Sequence, residues 1–313
     1  MNNRTLQKIC ICLLCIGCIC SLFACARSSV REQSTTAKQT TTKQVTTKPT
    51  TAKPTTTAPQ VKEDNTPLLN YDHLTKGEKE VYNRLGDTIG AYEPYMEESV
   101  AEFKAEVVDR VFFYSFLADH PEYFYVRGNS NLYQNTGTGE ELARFDIQYT
   151  NSVDEYEARM AKIDGIFTTI KKSLPKGATD FDKAKAVYDY LIENVDYDYD
   201  YTGNSLKESE TTASYADGAL VDGKAVCSGY SRAFKMMMDR FGIPCMCVSN
   251  KDHEWNIVRI EGNCYHIDVT WADTAQNSGE RYFCVTDTEI YKDHDKPAYA
   301  VPECTVVNSN LAE

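Results

Sequence analysis

Apolar residues fall along this 313-residue chain in four regimes. The first is an unbroken run, Ile9 to Ala24, behind the basic residues Arg4 and Lys8. The second, residues 26–66, holds almost nothing that could enter a core: Thr, Lys, Pro and Gln dominate, with Lys38, Lys43, Lys48 and Lys53 at a strict five-residue step. The third, residues 67–175, shows mostly helical spacing. Thr75-Lys76-Gly77-Glu78 reads as a capping box ahead of Val81, Tyr82, Leu85 and Ile89. A second helix is expected from about Glu97 to Asp119, with Val100, Phe103, Val107, Val111 and Tyr114 on one face. Ala143, Phe145, Ile147 and Tyr149 alternate as a half-buried strand does, and Tyr156, Met160, Ile163, Phe167, Ile170 and Leu174 mark a long helix ending at Pro175. No catalytic cluster stands out here. The aromatic residues read as core, His73 and His120 as structural, and the region is expected to shape one wall of a neighbouring cleft.

The fourth regime changes period partway. Ala184, Val187, Tyr188, Leu191, Ile192 and Val195 form an amphipathic helical stripe started by Thr179 and Asp180. Asp196-Tyr197-Asp198-Tyr199-Asp200-Tyr201 follows. Its alternating carboxylates suit calcium, but no glycine turn or closing Glu completes a loop, so a solvated turn with tyrosines tucked inward is expected. Gly223 then gives a turn, and Tyr230, Phe234, Met237, Met238 and Phe241 recur at helical steps from Cys227 until Gly242 and Pro244. Beyond Pro244 come runs suited to strands: Cys245–Ser249, Trp255–Ile260 and Cys264–Val269, the last two joined by the turn Glu261-Gly262-Asn263.

The candidate chemistry lies in this fourth regime. A thiol, an imidazole and a carboxylate occur in order at Cys227, His253 and Asp268. Together they can supply a thiolate nucleophile, its base and a group to orient the base. Cys227 stands at a helix start, where the dipole favours a thiolate. His253 would head the second strand and Asp268 lie near the end of the third, side by side. His266 is a rival imidazole, and His294, among acids, reads as solvated.

Gly223-x-x-x-Cys227-x-Gly229-Tyr230, His253-x-Trp255-Asn256 and Tyr265-His266-x-Asp268-Val269-Thr270-Trp271 resemble the motifs of the transglutaminase-like superfamily, over roughly residues 180–290. That resemblance implies an α+β, papain-related core, with a nucleophile helix packed on an antiparallel sheet and a mostly helical region before it. It implies Cys227 as nucleophile, His253 as general base and Asp268 as orienting carboxylate. Trp255, Tyr230, Trp271 and Tyr197 become candidate cleft residues. Two positions depart from the pattern: Glu254, where a small residue is common, puts a charge beside the base, and Ala272 stands where an acid often follows the Trp.

Composition narrows the setting. The formal net charge is −13, but residues 1–62 hold nine Lys/Arg against one acid, and residues 63–313 hold 24 against 45. An acidic body argues against nucleic acid and favours cationic or neutral substrates, or simply a solvated surface. The apolar run is shorter than a membrane span and closes on Leu22-Phe23-Ala24-Cys25, which resembles a bacterial lipoprotein box. A lipid on Cys25 is therefore expected, with an ordinary secretory peptide or a membrane anchor as alternatives. The chain then divides into a signal peptide (1–25), a disordered linker (26–66) of about 35 Å average span, a helical region (67–175) and a catalytic domain (176–313). It would sit at a bacterial cell surface, on the outer face of the cytoplasmic membrane, touching the membrane through its anchor only.

Of the remaining cysteines, Cys245, Cys247, Cys264, Cys284 and Cys304 are left once Cys227 is reserved as a free thiol. Their number and spacing suit neither a full disulfide set nor a zinc site, and buried apolar thiols are expected. No cofactor or metal is called for. The implied reaction is acyl transfer on an amide of a peptide or protein, cell-wall peptide included, ending in hydrolysis or in transamidation. The contrasting class is an inert module that binds peptide or glycan on its aromatic residues.

Overall fold

The computed structural model describes residues 69–98, 104–134, 141–201, 211–274 and 281–308. The expected signal peptide, Cys25 and the linker lie outside them. No helix among the described residues is long and apolar enough to cross a membrane.

The N-terminal region opens with α1 (Leu69–Asp72) and α2 (Lys76–Gly90). The Thr75–Glu78 capping box is present, and Val81, Tyr82, Leu85 and Ile89 are all buried. The region also carries a three-stranded antiparallel sheet, of which periodicity shows one strand. β1 (Tyr95–Glu98) and β2 (Val126–Gln134) flank β3 (Glu141–Tyr149) in the order β1-β3-β2. The second helix therefore starts later than expected. Glu97 and Glu98 pair with Arg144 and Ala143, and α3 spans Ala105–Val111, running on through a π-type turn at Phe112–Phe116. Neither Tyr-Met-Glu-Glu nor Val-Arg-Gly-Asn-Ser has strand-like composition; pairing with β3 overrides propensity. Gly128 in β2 has a specific cause, because a Cβ there would lie 2.3 Å from the Phe145 ring.

α4 (Val153–Ser173) begins at a Ser152–Glu155 capping box, and α5 (Asp180–Asn194) at a Thr179–Asp182 one. β4 (Asp196–Tyr197) pairs in parallel with β5 (Lys224–Ala225), which leads straight into α6 (Cys227–Phe241). In the alternating Asp–Tyr run, Asp198 and Asp200 face Lys224, while Tyr199 is exposed rather than tucked inward.

β6 (Cys245–Ser249), β7 (Glu254–Ile260) and β8 (Asn263–Ile267) form an antiparallel sheet with β7 central. Glu261 and Gly262 both take positive φ, 51° and 81°, which suits a two-residue hairpin closed by the Ile260–Asn263 pair. Both faces of this sheet are covered, which is why its strands read as apolar runs rather than alternations. Cys245, Val258, Ile260, Tyr265 and Ile267 join the core that contains α6. Met246, Val248, Trp255 and Ile257 form a second cluster with Cys304 of the C-terminal segment. The third strand ends earlier than expected, since Val269 opens α7 (Val269–Thr274). α8 (Asp287–Ile290) follows, and residues 282–285 add an edge alongside β8 through His266 and Asp268.

α6 is buried nearly all round, including Ser231, Arg232 and Lys235. Arg232 donates to the carbonyls of Ser214 and Phe113, joining the N-terminal region to α6. Gly229 is fixed by close approach: a Cβ there would lie 2.2 Å from the Ala213 carbonyl oxygen, which also accepts the Val226 N–H. Gly229→Ala should therefore cost on the order of 3 kcal/mol, because backbone rather than a flexible side chain must move. Thermal unfolding would show it, and an unchanged midpoint would contradict the close approach.

Candidate active site

The site is assembled from the end of a helix and the ends of two strands. Cys227 is the first residue of α6, and the residue before it, Val226, is apolar and makes no side-chain cap. The first helical hydrogen bond runs from Tyr230 N–H to the Val226 carbonyl, so the N–H groups of Cys227, Ser228 and Gly229 lie ahead of it. An uncapped helix start concentrates positive partial charge where a thiolate or oxyanion would sit.

His253 lies one residue ahead of β7. Its position is set by Asn250, whose Oδ1 accepts the N–H groups of Asp252 and His253, while the Asn250 N–H donates to the His253 carbonyl. By the period of two, His253, Trp255 and Ile257 share one face of β7. In the antiparallel register Ile257 faces His266, so Asp268, two residues on, falls on the same side. The imidazole packs parallel to the Trp255 ring, 14° between planes, and its Nε2 lies 2.7 Å from Asp268 Oδ2.

Nε2 is thus turned to Asp268, and Cys227 lies within electrostatic reach of the ring. Burial opposes charge on His253, but the Asp268 charge and hydrogen bond, with those of Cys227, outweigh it and raise the pKa to about 10. For Asp268 burial is again opposed and outweighed, chiefly by His253 and then by His294 and the Trp271 N–H, and its pKa falls to about 2. Asp268 also caps α7, accepting the Trp271 N–H at Oδ1. A turn cap and an orienting carboxylate are one residue using two oxygens.

The other candidates divide. Tyr197 is half-buried on β4, paired with Ala225, and within electrostatic reach of Cys227. Trp271 is partly buried, its ring 5.7 Å from that of His253. Tyr230 and Trp255 need correction as cleft residues. Tyr230 is fully buried, donating to Asp273 Oδ2 at 2.7 Å and reaching the Val195 carbonyl. Trp255 is 1% exposed and stands behind the imidazole, its Nε1–H donated to His266 Nδ1 at 3.0 Å. In H-x-W-N, Trp255 backs the imidazole of His253, and Asn256 ties β7 to α6 through the Ser231 carbonyl.

Glu254 does not put its charge beside the base. It turns to α6, buried, accepting from Ser231 Oγ and lying 3.7 Å from Arg232 Nε. His266 is not a rival base. Trp255 can only donate, so His266 Nδ1 accepts, and its proton sits on Nε2 facing Asp287 Oδ1 at 2.8 Å. His294, read as solvated, is the larger correction: its side chain is fully buried, with Nε2 2.8 Å from Asp268 Oδ2. A sequence of alternating acid, imidazole and lysine at 292–296 gives no sign of this, because the C-terminal segment must first fold over β7 and β8.

The six described cysteines are free thiols; Cys245, Cys247, Cys284 and Cys304 are buried, which raises their pKa values. Among the described residues two groups bring three metal-type ligand atoms within 4.8 Å of one another: His253, Asp268 and His294, and His266, Asp287 and Cys304. In the first, both imidazoles meet Asp268 Oδ2; in the second, His266 Nε2 meets Asp287 Oδ1 while Cys304 Sγ donates to the Pro302 carbonyl. In the second, the Trp255 N–H holds His266 in the tautomer that points a proton, not a lone pair, at Asp287.

Comparison with known proteins agrees with this core. Residues 168–279 match the family described as the transglutaminase-like superfamily. The chain is 23% identical over 162 residues to the human (Homo sapiens) kyphoscoliosis peptidase and 20% identical to the mouse (Mus musculus) protein, covering 47% of this chain in each case. It spans 24% of the length of either relative. A solved structure described as the crystal structure of a TGase aligns with a TM-score of 0.33 and 15% identity, over 53% of this chain and 52% of that one. Residues 168–279 thus match a transglutaminase-like superfamily domain within an α+β fold.

Proposed function

We propose that this chain is a thiol enzyme that transfers acyl groups from amides, with Cys227 as nucleophile, His253 as general base and acid, and Asp268 as orienting carboxylate. One observation carries the reading: His253 is held by Asp268 through Nε2 and lies within electrostatic reach of Cys227, the first residue of an uncapped helix. The Cys227 sulfur attacks the amide carbonyl carbon, and the oxygen becomes an oxyanion facing the free N–H groups at the start of α6. His253 Nδ1–H then protonates the departing nitrogen, the C–N bond breaks and a thioester remains. Water then cleaves the thioester, releasing the carboxylic acid and restoring the Cys227 thiol, whereas an amine releases a new amide and restores the same thiol.

The substrate we infer is an extracellular or cell-wall peptide, cleaved as by a peptidase or amidase, or a protein glutamine undergoing transamidation. The name of the kyphoscoliosis relatives points toward peptide hydrolysis. Incubation with a peptide library and a labelled primary amine separates the outcomes. Release of new termini marks hydrolysis, amine incorporation marks transamidation, and either must vanish in Cys227→Ala. The alternative of an inert binding module would rest on the partly buried Trp271, since Tyr230 and Trp255 are buried. If no amide is turned over while peptide or glycan binding persists in Cys227→Ala, that module becomes the better description. We also propose anchoring at the outer face of a bacterial cytoplasmic membrane through a lipid on Cys25. Metabolic fatty-acid labelling that survives Cys25→Ser would refute it.

A further inference from the structure

We propose that His294 is a positioning residue of the thiol centre: it donates Nε2–H to Asp268 Oδ2, the same oxygen that receives the proton of His253. The inference rests on the thiol-centre reading and extends the triad into the C-terminal segment.

The geometry is a chain of alternating donors and acceptors. His294 Nδ1 lies 2.7 Å from Asp293 Oδ1, and Asp293 Oδ2 accepts from Arg281 Nη2 at 2.6 Å and from the Tyr282 hydroxyl at 2.9 Å. Asp268 already accepts the Trp271 N–H at Oδ1 and two imidazoles at Oδ2. Each His294 nitrogen therefore meets a carboxyl oxygen, Nε2 that of Asp268 and Nδ1 that of Asp293. The order from the thiol outward is His253, Asp268, His294, Asp293, Arg281. Each carboxylate lies between two donors.

This ring is fixed rather than incidental. His294 is fully buried, its ring centroid 4.2 Å from Trp271, 5.3 Å from Trp255 and 5.4 Å from His253. The same segment holds the turn that carries His253, since Asn250 Nδ2 donates to the Asp295 carbonyl and the Tyr299 hydroxyl receives the Ser249 N–H. Base and carboxylate are thus both held by residues 294–299.

Two consequences follow. Asp268 is clamped from the C-terminal side, which keeps Oδ2 on the His253 axis. Its charge is also shared, so His253 feels less of it than it would alone. The groups facing His253 are Cys227 from α6, Asp268 after β8, and His294 from the C-terminal segment, with Trp255 and Trp271 against the ring. Those facing His294 are Asp268, Asp293, His253 and Tyr282.

The test is a pair of readouts on the full chain. The His253 ring is titrated by long-range nitrogen–proton NMR, and Cys227 alkylation by iodoacetamide is followed by peptide mapping. In His294→Ala the His253 midpoint should move up by about half to one pH unit, as expected for removing a hydrogen-bond donor that shares the Asp268 charge. The alkylation rate at neutral pH should fall about tenfold as Asp268 loses its clamp. His294→Gln fills the space and restores one N–H, so it should recover most of the rate and of the midpoint. A lowered melting temperature with an undisplaced midpoint in the alanine variant would make His294 structural and overturn the proposal. If the alanine variant does not fold, His294→Leu, which fills the space without a donor, decides by its midpoint. If Cys227 in the native protein proves unreactive, the thiol-centre reading fails, and the NMR titration still decides whether His294 acts on His253.

Discussion

Replacing His253 with Ala should slow the alkylation of Cys227 at pH 6.5 about a hundredfold. An ordinary cysteine is about 1% thiolate at that pH, and only the thiolate reacts. In the native site the imidazole beside Cys227 holds its proton up to about 10, so positive charge faces the sulfur throughout the neutral range. The helix start adds to that field, and the variant retains it, so the loss is large rather than complete. Four of the other five described cysteines, Cys245, Cys247, Cys284 and Cys304, are buried and raised in pKa, and peptide mapping separates the partly exposed Cys264 from Cys227. Equal rates for native protein and variant would remove the basis for an imidazole-activated thiol and direct attention to binding.

The second large effect is on stability. Asp268→Asn leaves His253 and His294 sharing a neutral partner in a fully buried position. Breaking a buried charged pair from one side costs about 3–5 kcal/mol, or about 10 °C in a domain of this size. The pH dependence identifies the cause. The raised His253 pKa gives stability that is fully present below its unfolded value of about 6.5, and lost as pH rises through about 10. The lowered Asp268 pKa gives stability that is present above its unfolded value of about 3.9, and lost as pH falls through about 2. The gap between native protein and variant should therefore be widest from about pH 4 to 6.5 and narrow toward either end. Thermal melts across that range measure it. A constant gap would mean that the carboxylate acts only as the cap of α7.

The same pairing shows why the domain tolerates a buried acid at its centre. Asp268 has no exposed surface, yet it accepts from two imidazoles and one backbone N–H, and its own N–H reaches the Tyr282 carbonyl. A buried carboxylate so fully hydrogen-bonded is not an orphan charge. It is a junction between the hairpin of β7 and β8, the helix α7 and the C-terminal segment.

Local rules determined much of this protein from its sequence. The capping box at Thr75, the helix start at Thr179, the helix from Cys227 to Phe241 and the hairpin turn at Glu261-Gly262 follow from residues a few positions apart. Motif order named Cys227, His253 and Asp268 because their spacing along one helix and two strands is itself local information. What tertiary structure decided depends on which face is covered, and by what. β1 and β2 exist because β3 pairs with them, against their own composition. Trp255 and Tyr230 are buried because α6 and the C-terminal segment cover both sides of one sheet, and no periodicity distinguishes a covered face from an open one. His294 reaches Asp268 across 26 residues of sequence. Its surroundings in the chain are charged and its surroundings in space are aromatic, and only folding exchanges the one for the other.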